Sequence, residues 1–385
     1  MLRLGGCAVL ALALACGTDF VSASQVSSLR VLGVRAEPAE PRPGQPVTLQ
    51  ALVVDPTRPG ADSAILWLGC APTVDSTSSP CSNTDALLSL TSASDGGLPA
   101  GVSLLGLGPQ VVTQTPSDVF GPDAGAVERQ TGVLASAVLI AVAAPPPTTV
   151  EEANALFDRV RNKEVPNQIA LFRYPVSESD APNHNPVLDA YVVNGETLPR
   201  GATVRVSAPD ASVDLSVPDT DFEPYVEHAP SGDLQRTETL AARYYATQLL
   251  VDTEAVQVRG TTVEKLSPGG VNSDEASRAG HLWTVVRDTR GGQSWIDAKT
   301  YVCNPGVPAP SAASASRDGG TVTVDGANLA SVLDLQLGDA VLKDLRCDAA
   351  SCSGVLPSLD AGTYPLTLRA KSCADVQTGV EVSVP

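Results

Sequence analysis

Alternating apolar and polar positions are the main pattern of this chain, and they predict short, half-buried β-strands. Three segments share one design, in which a glycine turn is followed by apolar residues at every second position. These segments begin at Gly44, Gly201 and Gly319, and an extended segment precedes each of them. Period-two alternation is typical of a strand with one face in a core and the other in water.

The recurrence of this design predicts a mainly β protein with three tandem Ig-like β-sandwich domains. The alternative is that all-β proteins reuse such turns without any repeat. Shifts in composition and the linkers place the three domains at residues 29–178, 186–303 and 305–385.

The first domain contains two strong strand signals. Ile65–Cys70 is apolar and predicts a central strand that carries Trp67 in the core. Val133–Ala144 is apolar except for Ser136, which favours a strand buried on both faces. This run is too short to cross a bilayer, which needs about 20 apolar residues.

One helix interrupts the β pattern of the first domain. The prolines at 145–147 end the preceding strand, and Thr149 with Glu152 forms a capping-box pattern. Apolar residues then recur with helical spacing at Ala153, Leu156, Phe157 and Val160. We therefore expect a helix at about residues 150–163 that covers the core.

The middle domain is predicted to close with a hairpin over residues 280–295, around the turn at Arg290–Gly292. Residues 239–250 are predicted to form a strand, although a helix over 240–250 stays possible.

The first residues predict export. Arg3 precedes an apolar run, Leu4–Ala15, whose length is typical of a secretory signal peptide. The run ends in Leu-Ala-Leu-Ala15-Cys16, which resembles a bacterial lipobox. That resemblance implies cleavage before Cys16 and acylation of its thiol and new amino group, with palmitate-type chains as the anchor. Two or more acyl chains give stable membrane anchoring.

This resemblance implies a signal peptide at residues 1–15 and a lipidated tether at residues 16–28, so the first domain is expected close to the membrane. Gly17 follows the cysteine, which by resemblance to Gram-negative lipoproteins favours the outer membrane, on either face. An ordinary signal peptide cut near Ala23 is the alternative. Cutting before Cys7 would leave almost no apolar run.

Charge narrows the choice of partners. The net charge of −18 argues against nucleic acid and anionic lipid as partners, because both would be repelled. The acidic residues are scattered, which is typical of a soluble surface. A hydrophobic content of 43% is enough for packed cores.

Export also predicts that the cysteines are oxidised to disulfides. An even number of cysteines in an exported chain predicts disulfides, and six cysteines allow fifteen pairings. Spacing favours Cys70–Cys81 and Cys347–Cys352, with Cys303–Cys373 as the third pair. Zinc is the competing use of these cysteines, but none of them has a C-x-x-C pattern or a nearby histidine.

The third domain resembles the IPT/TIG family of Ig-like modules. The residues that carry this resemblance are Gly319–Leu329, Val341, Leu356–Pro357 and Ala361–Leu368. In such a fold Cys373 lies near the point where the first strand enters, which implies a bond to Cys303 that ties the third domain to the second.

Candidate chemistry is sparse. Asp219, Asp221 and Glu223 form a weak calcium pattern, for which a solvated edge is the alternative. The sequence contains neither a nucleophile elbow nor a P-loop, and its histidines, His184, His228 and His281, are far apart. No catalytic residue, metal or cofactor is predicted.

The sequence therefore predicts a membrane-anchored, non-enzymatic lipoprotein of the cell envelope. Its Ig-like domains would bind a protein partner or support an envelope assembly. The whole resembles myxobacterial lipoproteins that combine an acylated cysteine with Ig-like repeats. The alternatives are an adhesin or glycan-binding surface protein and an envelope hydrolase with a carboxylate-based site.

Overall fold

A computed structural model describes residues 22–70, 102–207, 210–229, 232–253, 255–260, 262–269 and 278–385. Over these residues the chain is mainly β and forms tandem Ig-like β-sandwich domains, which confirms the predicted fold class. None of the described helices is long and apolar enough to cross a membrane.

The first domain packs a three-stranded sheet, in the order β1-β2-β5, on a four-stranded sheet, in the order β4-β3-β6-β7. Its strands are β1 (Arg30–Glu37), β2 (Pro46–Val54), β3 (Ala64–Cys70), β4 (Val102–Leu107), β5 (Gln110–Gln114), β6 (Val133–Val142) and β7 (Asn167–Val176). Trp67 is fully buried between the two sheets, and its Nε1 donates to the carbonyl of Gly108 at 2.9 Å. The predicted central strand and its core tryptophan are confirmed.

In the described residues of this domain, two α-helices accompany the strands, α1 (Ala126–Thr131) and α2 (Val150–Arg161). The Thr149 hydroxyl caps α2 by accepting from the amide of Glu152, as the sequence predicts. Val160 of α2 is buried against the outer face of the four-stranded sheet, so the helix covers core. The sequence did not predict α1, because none of its six residues is buried and no apolar period marks it.

The middle domain has two five-stranded sheets, β10-β19-β18-β14-β16 and β15-β17-β11-β8-β9, and a separate hairpin, β12-β13. Its strands are β8 (Ala190–Val193), β9 (Glu196–Thr197), β10 (Val204–Val206), β11 (Ala211–Ser216), β12 (Pro224–Ala229), β13 (Gly232–Thr237), β14 (Ala241–Ala246), β15 (Leu249–Val251), β16 (Val256–Gln257), β17 (Glu264–Pro268), β18 (Ala279–Arg287) and β19 (Gln293–Val302). Residues 240–250 therefore contain β14 and the start of β15 in place of one strand or a helix, and β18 with β19 forms the predicted hairpin.

The third domain packs β20-β21-β25-β24 on β23-β22-β26-β27. Its strands are β20 (Ser311–Asp318), β21 (Thr321–Ala327), β22 (Val332–Leu337), β23 (Ala340–Val341), β24 (Lys343–Cys347), β25 (Ser351–Val355), β26 (Gly362–Ala370) and β27 (Asp375–Val384). Apolar residues at alternate positions of β21, β22 and β26 form its core.

A disulfide and buried polar contacts join the middle and third domains. Cys303 and Cys373 are bonded, with their Cα atoms 5.5 Å apart. The Asp334 carboxylate accepts from the amide and the hydroxyl of Thr203, both at 2.8 Å, and from Arg369 at 3.1 Å. Since Asp334 and Arg369 are both buried, this junction is closed as well as covalently linked.

The segment before β1 is not a free tether at its C-terminal end. The predicted tether covers residues 16–28, yet Val26 is only 2% exposed and packs against Trp283 and Tyr245 of the middle domain. The amide of Val26 also donates to the carbonyl of Ala246 at 2.8 Å. Burial of one apolar side chain and a strand-like bridge therefore hold residues 24–26 on the fold.

Candidate functional site

The first and middle domains meet at the turn between β18 and β19, and Arg290 lies in that turn. Asp288 shapes the turn, because its Oδ1 accepts from the amides of Arg290, Gly291 and Gly292 at 2.7–2.8 Å. Gly291 has a φ of 104°, a conformation that favours glycine. The turn therefore holds Arg290 at a fixed place in the junction.

The guanidinium of Arg290 gathers carboxylates from separate parts of the chain. Its Nε donates to Glu238 Oε1 at 2.5 Å, and its Nη2 donates to Glu223 Oε2. Its Nη1 donates to the carbonyl of Ala181 at 3.0 Å and lies 3.9 Å from the carboxylate of Glu40. One cation is thus shared among three carboxylates, one of which belongs to the first domain.

Glu40 ties this cluster to the first domain and to the linker. Its carboxylate accepts from the hydroxyl of Ser177 and from the amide of Asn183, the latter at 2.7 Å. The side chain of Asn183 in turn donates to Asp288 at 3.2 Å. We name the five charged residues of this network the junction cluster: Glu40, Glu223, Glu238, Asp288 and Arg290.

Burial dominates the electrostatics of the junction cluster. It raises the pKa of Glu238 to about 7, against the stabilising hydrogen bond from Arg290, and the charges of Asp288 and Glu223 add to the rise. Burial also raises the pKa of Asp288, although Asn183 and the turn amides oppose that shift. Because of this burial, Glu238 and Asp288 hold protons more tightly than they would in water.

A cleft of about 450 Å³ opens beside the junction cluster. The hairpin β12-β13 forms one wall with Tyr225, His228 and Asp233, and the first domain forms the other with Gln130. The floor includes Glu40 and Arg290, whose guanidinium lies 5.3 Å from the centre of the Tyr225 ring. Most of the lining residues carry a polar or charged group, and Tyr225 adds an aromatic ring, so the cleft combines apolar surface with several hydrogen-bonding groups.

The carboxylates of the junction cluster are committed to structural partners. Glu238 is 2% exposed and is bound to Arg290, and Asp288 is saturated by turn amides and Asn183. Glu223 and His184 lie at the more open edge, where His184 Nδ1 is 2.7 Å from Glu223 Oε1. The preformed cleft can therefore provide a ligand with hydrogen bonds and ion pairs.

The structure separates the three residues of the weak calcium pattern. Asp219 pairs with Arg259, Asp221 accepts from the amide of Val187 at 2.5 Å, and Glu223 joins the junction cluster. Within the described part of the chain, no group of three or more metal-ligating side chains is placed to hold a metal ion. Each of these carboxylates is thus bound to a different protein partner, and the three do not share one site.

The three histidines also have separate carboxylate partners. His184 contacts Glu223, and His228 lies 2.8 Å from Asp233 across the hairpin. His281 lies 2.8 Å from Asp297 and stacks on Trp283, with ring centres 4.4 Å apart. The fold brings the first two histidines to the junction, which their spacing in the sequence did not indicate.

The predicted disulfides are formed where the structure describes both partners. Cys303 is bonded to Cys373, and Cys347 is bonded to Cys352, which staples β24 to β25. Cys70 is disulfide-bonded as well, while its predicted partner Cys81 lies outside the described residues. The lipidation site Cys16 also lies outside them.

Sequence reasoning missed the junction cluster. The sequence marks Arg290 only as part of a turn, and Glu40 and Glu238 have no motif around them. An Asp two residues before Arg-Gly-Gly is the one local signal, because it is typical of a side chain that caps a turn.

No protein-family profile and no curated protein matches the chain. Similar solved structures include SGBP-B from a xyloglucan utilization locus of Bacteroides uniformis, at 18% identity over 51% of this chain and 48% of that chain, with a TM-score of 0.17. Extracellular domains 3–5 of Drosophila OTK match at 12% identity over 94% of this chain and 99% of that chain, with a TM-score of 0.17.

Fibronectin(III)-like modules of Clostridium thermocellum CbhA match at 9% identity over 70% of this chain and 94% of that chain, with a TM-score of 0.18. The chain spans about half the length of the two SGBP-B chains it resembles, 48% and 49%. These likenesses concern the β-sandwich fold alone. The resemblances to IPT/TIG modules and to myxobacterial lipoproteins stay predictions.

Proposed function

We propose that this protein is a non-enzymatic binding protein of the cell envelope, anchored through acyl chains on Cys16. Its Ig-like domains act as one body that presents a preformed surface to a partner. The observation that supports this most is the closure of both domain junctions by buried polar contacts. A rigid surface loses little conformational entropy on binding, which favours recognition.

The commitment of the junction carboxylates supports a non-catalytic role. A general acid or base must reach a bound substrate within hydrogen-bonding distance. Glu238 has a pKa suited to such work, but it is buried and points to Arg290. We therefore place the hydrolase alternative below binding.

Crosslinking in the native envelope, followed by mass spectrometry, tests the main proposal. We expect a defined partner crosslinked to the wild type and release of the Cys16→Ser variant into the soluble fraction. Membrane retention of that variant contradicts the acyl anchor. Absence of any specific crosslink from a folded, retained protein contradicts the binding role.

A glycan ligand is the second candidate, and the junction cleft is the observation that favours it. Carbohydrate sites combine an aromatic ring with planar polar side chains, and Tyr225, Asp233 and Gln130 provide both around this cleft. We expect the protein to bind on an oligosaccharide array and the Asp233→Ala variant to lose that binding. Asp339→Ala, in an exposed turn of the third domain, is the matched control. Equal binding by wild type and Asp233→Ala contradicts this candidate.

A further inference from the structure

The segment at residues 22–29, here called the N-terminal strap, is fixed to the middle domain. Its backbone bonds to β14 in both directions, from Val26 to Ala246 at 2.8 Å and from Ala246 to Ser24 at 2.9 Å. The guanidinium of Arg30 donates to the carbonyl of Ala23 at 2.5 Å and closes the strap on itself. The chain therefore leaves the folded body beside Ala246.

Ala246 lies about midway between the two ends of the β18–β19 hairpin. It pairs with Leu282, which pairs with Ala298, and β19 reaches the interdomain Cys303 only five residues later. The start of β19 at Gln293, beside the Arg290 turn, is also five residues from Ala298, so each end lies roughly 17 Å from Ala298 along the strand at 3.3 Å per residue.

The first domain packs on the other half of this sheet. A side chain at Gly33 would meet the ring of Trp295 at 3.2 Å, and the amide of Val34 donates to the side chain of Gln293 at 2.8 Å. The strap thus contacts the middle domain at a position between the first and the third domains.

The reach of the tether now limits how the molecule can sit on a membrane. Five residues lie between Cys16 and Ser22, which makes six Cα–Cα steps, so Ser22 lies at most about 21 Å from the acylated cysteine. The third domain extends further than that, because β27 alone has 10 residues and spans about 33 Å. The third domain is therefore too long to lie upright between the bilayer and the strap, because the strap must stay within about 21 Å of the acylated cysteine.

We propose that the protein lies side-on, with its long axis along the bilayer and the flank around the N-terminal strap facing the lipid. This inference rests on the proposed acylation of Cys16. The partner of this flank is a zwitterionic lipid surface, since the net charge of −18 is repelled by anionic lipid. If the chain were free up to residue 28, the molecule could instead stand upright with its first domain on the membrane.

Energy transfer to acceptor lipids tests the orientation. The acylated protein is reconstituted on phosphatidylcholine vesicles with one fluorophore, introduced as an unnatural amino acid, at exposed Thr57 or exposed Glu381. Side-on binding predicts similar transfer from the first domain, at Thr57, and from the third domain, at Glu381. Transfer at least threefold higher from Thr57 than from Glu381 would overturn the proposal, as would the reverse order.

A second variant examines the strap itself. Val26→Asp places a charge in the interface with Trp283 and should release the strap, which lengthens the tether by up to eight residues. We expect transfer from both positions to fall, while Val187→Asp, at an exposed position of the middle domain, leaves it unchanged. Unchanged transfer from a folded Val26→Asp protein would show that the strap does not orient the molecule.

Failure of acylation is separable from failure of the orientation. A chain that begins at unacylated Cys16 is coupled through that thiol to a maleimide phospholipid, and the same two fluorophore positions are measured. If the natural protein does not bind vesicles, the proposed anchor is contradicted. The coupled protein still shows whether the flank around the strap faces the bilayer.

Discussion

Arg290 and Glu238 are in direct contact inside the junction of the first two domains, with Nε and Oε1 2.5 Å apart. Both side chains are largely buried, at 15% and 2% exposure, and two more carboxylates share the same guanidinium. A buried charge is stable only when paired and hydrogen-bonded. The junction therefore depends on one arginine, and its stability depends on the protonation of Glu238.

The pKa of Glu238 predicts how stability changes with pH. Because burial raises this pKa from 4.5 to about 7, the folded state keeps a proton that the unfolded chain has released. The free energy of unfolding should therefore fall as the pH rises from about 4.5 to 7. Glu238→Gln should reduce that slope, as measured by urea denaturation at pH 5 and pH 7.5.

The control for this prediction is Glu227→Gln, in the hairpin wall, where Glu227 is half exposed and pairs with Arg236. This variant should keep the wild-type slope. A Glu238→Gln protein with the same slope as wild type would show that Glu238 does not titrate in this window.

Removal of Arg290 should lower the free energy of unfolding. Arg290→Ala leaves Glu40, Glu223 and Glu238 without their shared cation, and loss of one member of a buried pair costs about 3–5 kcal/mol. We expect a lower midpoint in chemical denaturation and earlier proteolysis at the linker between the first two domains. Arg236→Ala, whose ion pair with Glu227 is exposed, should change little. Equal effects of the two variants would contradict the role of Arg290 at the junction.

The interdomain disulfide should contribute more than the hairpin disulfide. Cys303–Cys373 encloses a sequence separation of 70 residues, whereas Cys347–Cys352 encloses 5. In the chain-entropy treatment the longer loop is worth about 4 kcal/mol and the shorter about 2 kcal/mol. Calorimetry of the two double Cys→Ser variants checks this order. A larger loss of stability in the Cys347/Cys352 variant than in the Cys303/Cys373 variant would contradict the prediction.

Much of the fold follows from local patterns in the sequence. Period-two alternation predicts strands such as β2 and β21, and the apolar run ending at Ala144 predicts β6, because burial selects these patterns directly. The Thr149 cap predicts where α2 begins. Each of these signals lies within a dozen residues, so no tertiary information is needed to recognise it.

The junction was not predictable in this way. Glu40, Glu223, Glu238 and Arg290 are brought together by contacts across as many as 250 positions of the sequence, and each looks like an ordinary surface charge. Val26 is a single apolar residue in a serine-rich segment, so no period marks the strap as folded. Such features depend on the packing of whole domains against each other.

The central claim is that the three domains act as one rigid body with a preformed cleft between the first two. The most direct test is a pulsed electron-paramagnetic-resonance distance measurement between spin labels on the first and third domains, at exposed Thr57 and Glu381. The closed junctions predict one narrow distance distribution, which broadens in Arg290→Ala. A broad or multimodal distribution in the wild-type protein would contradict the account.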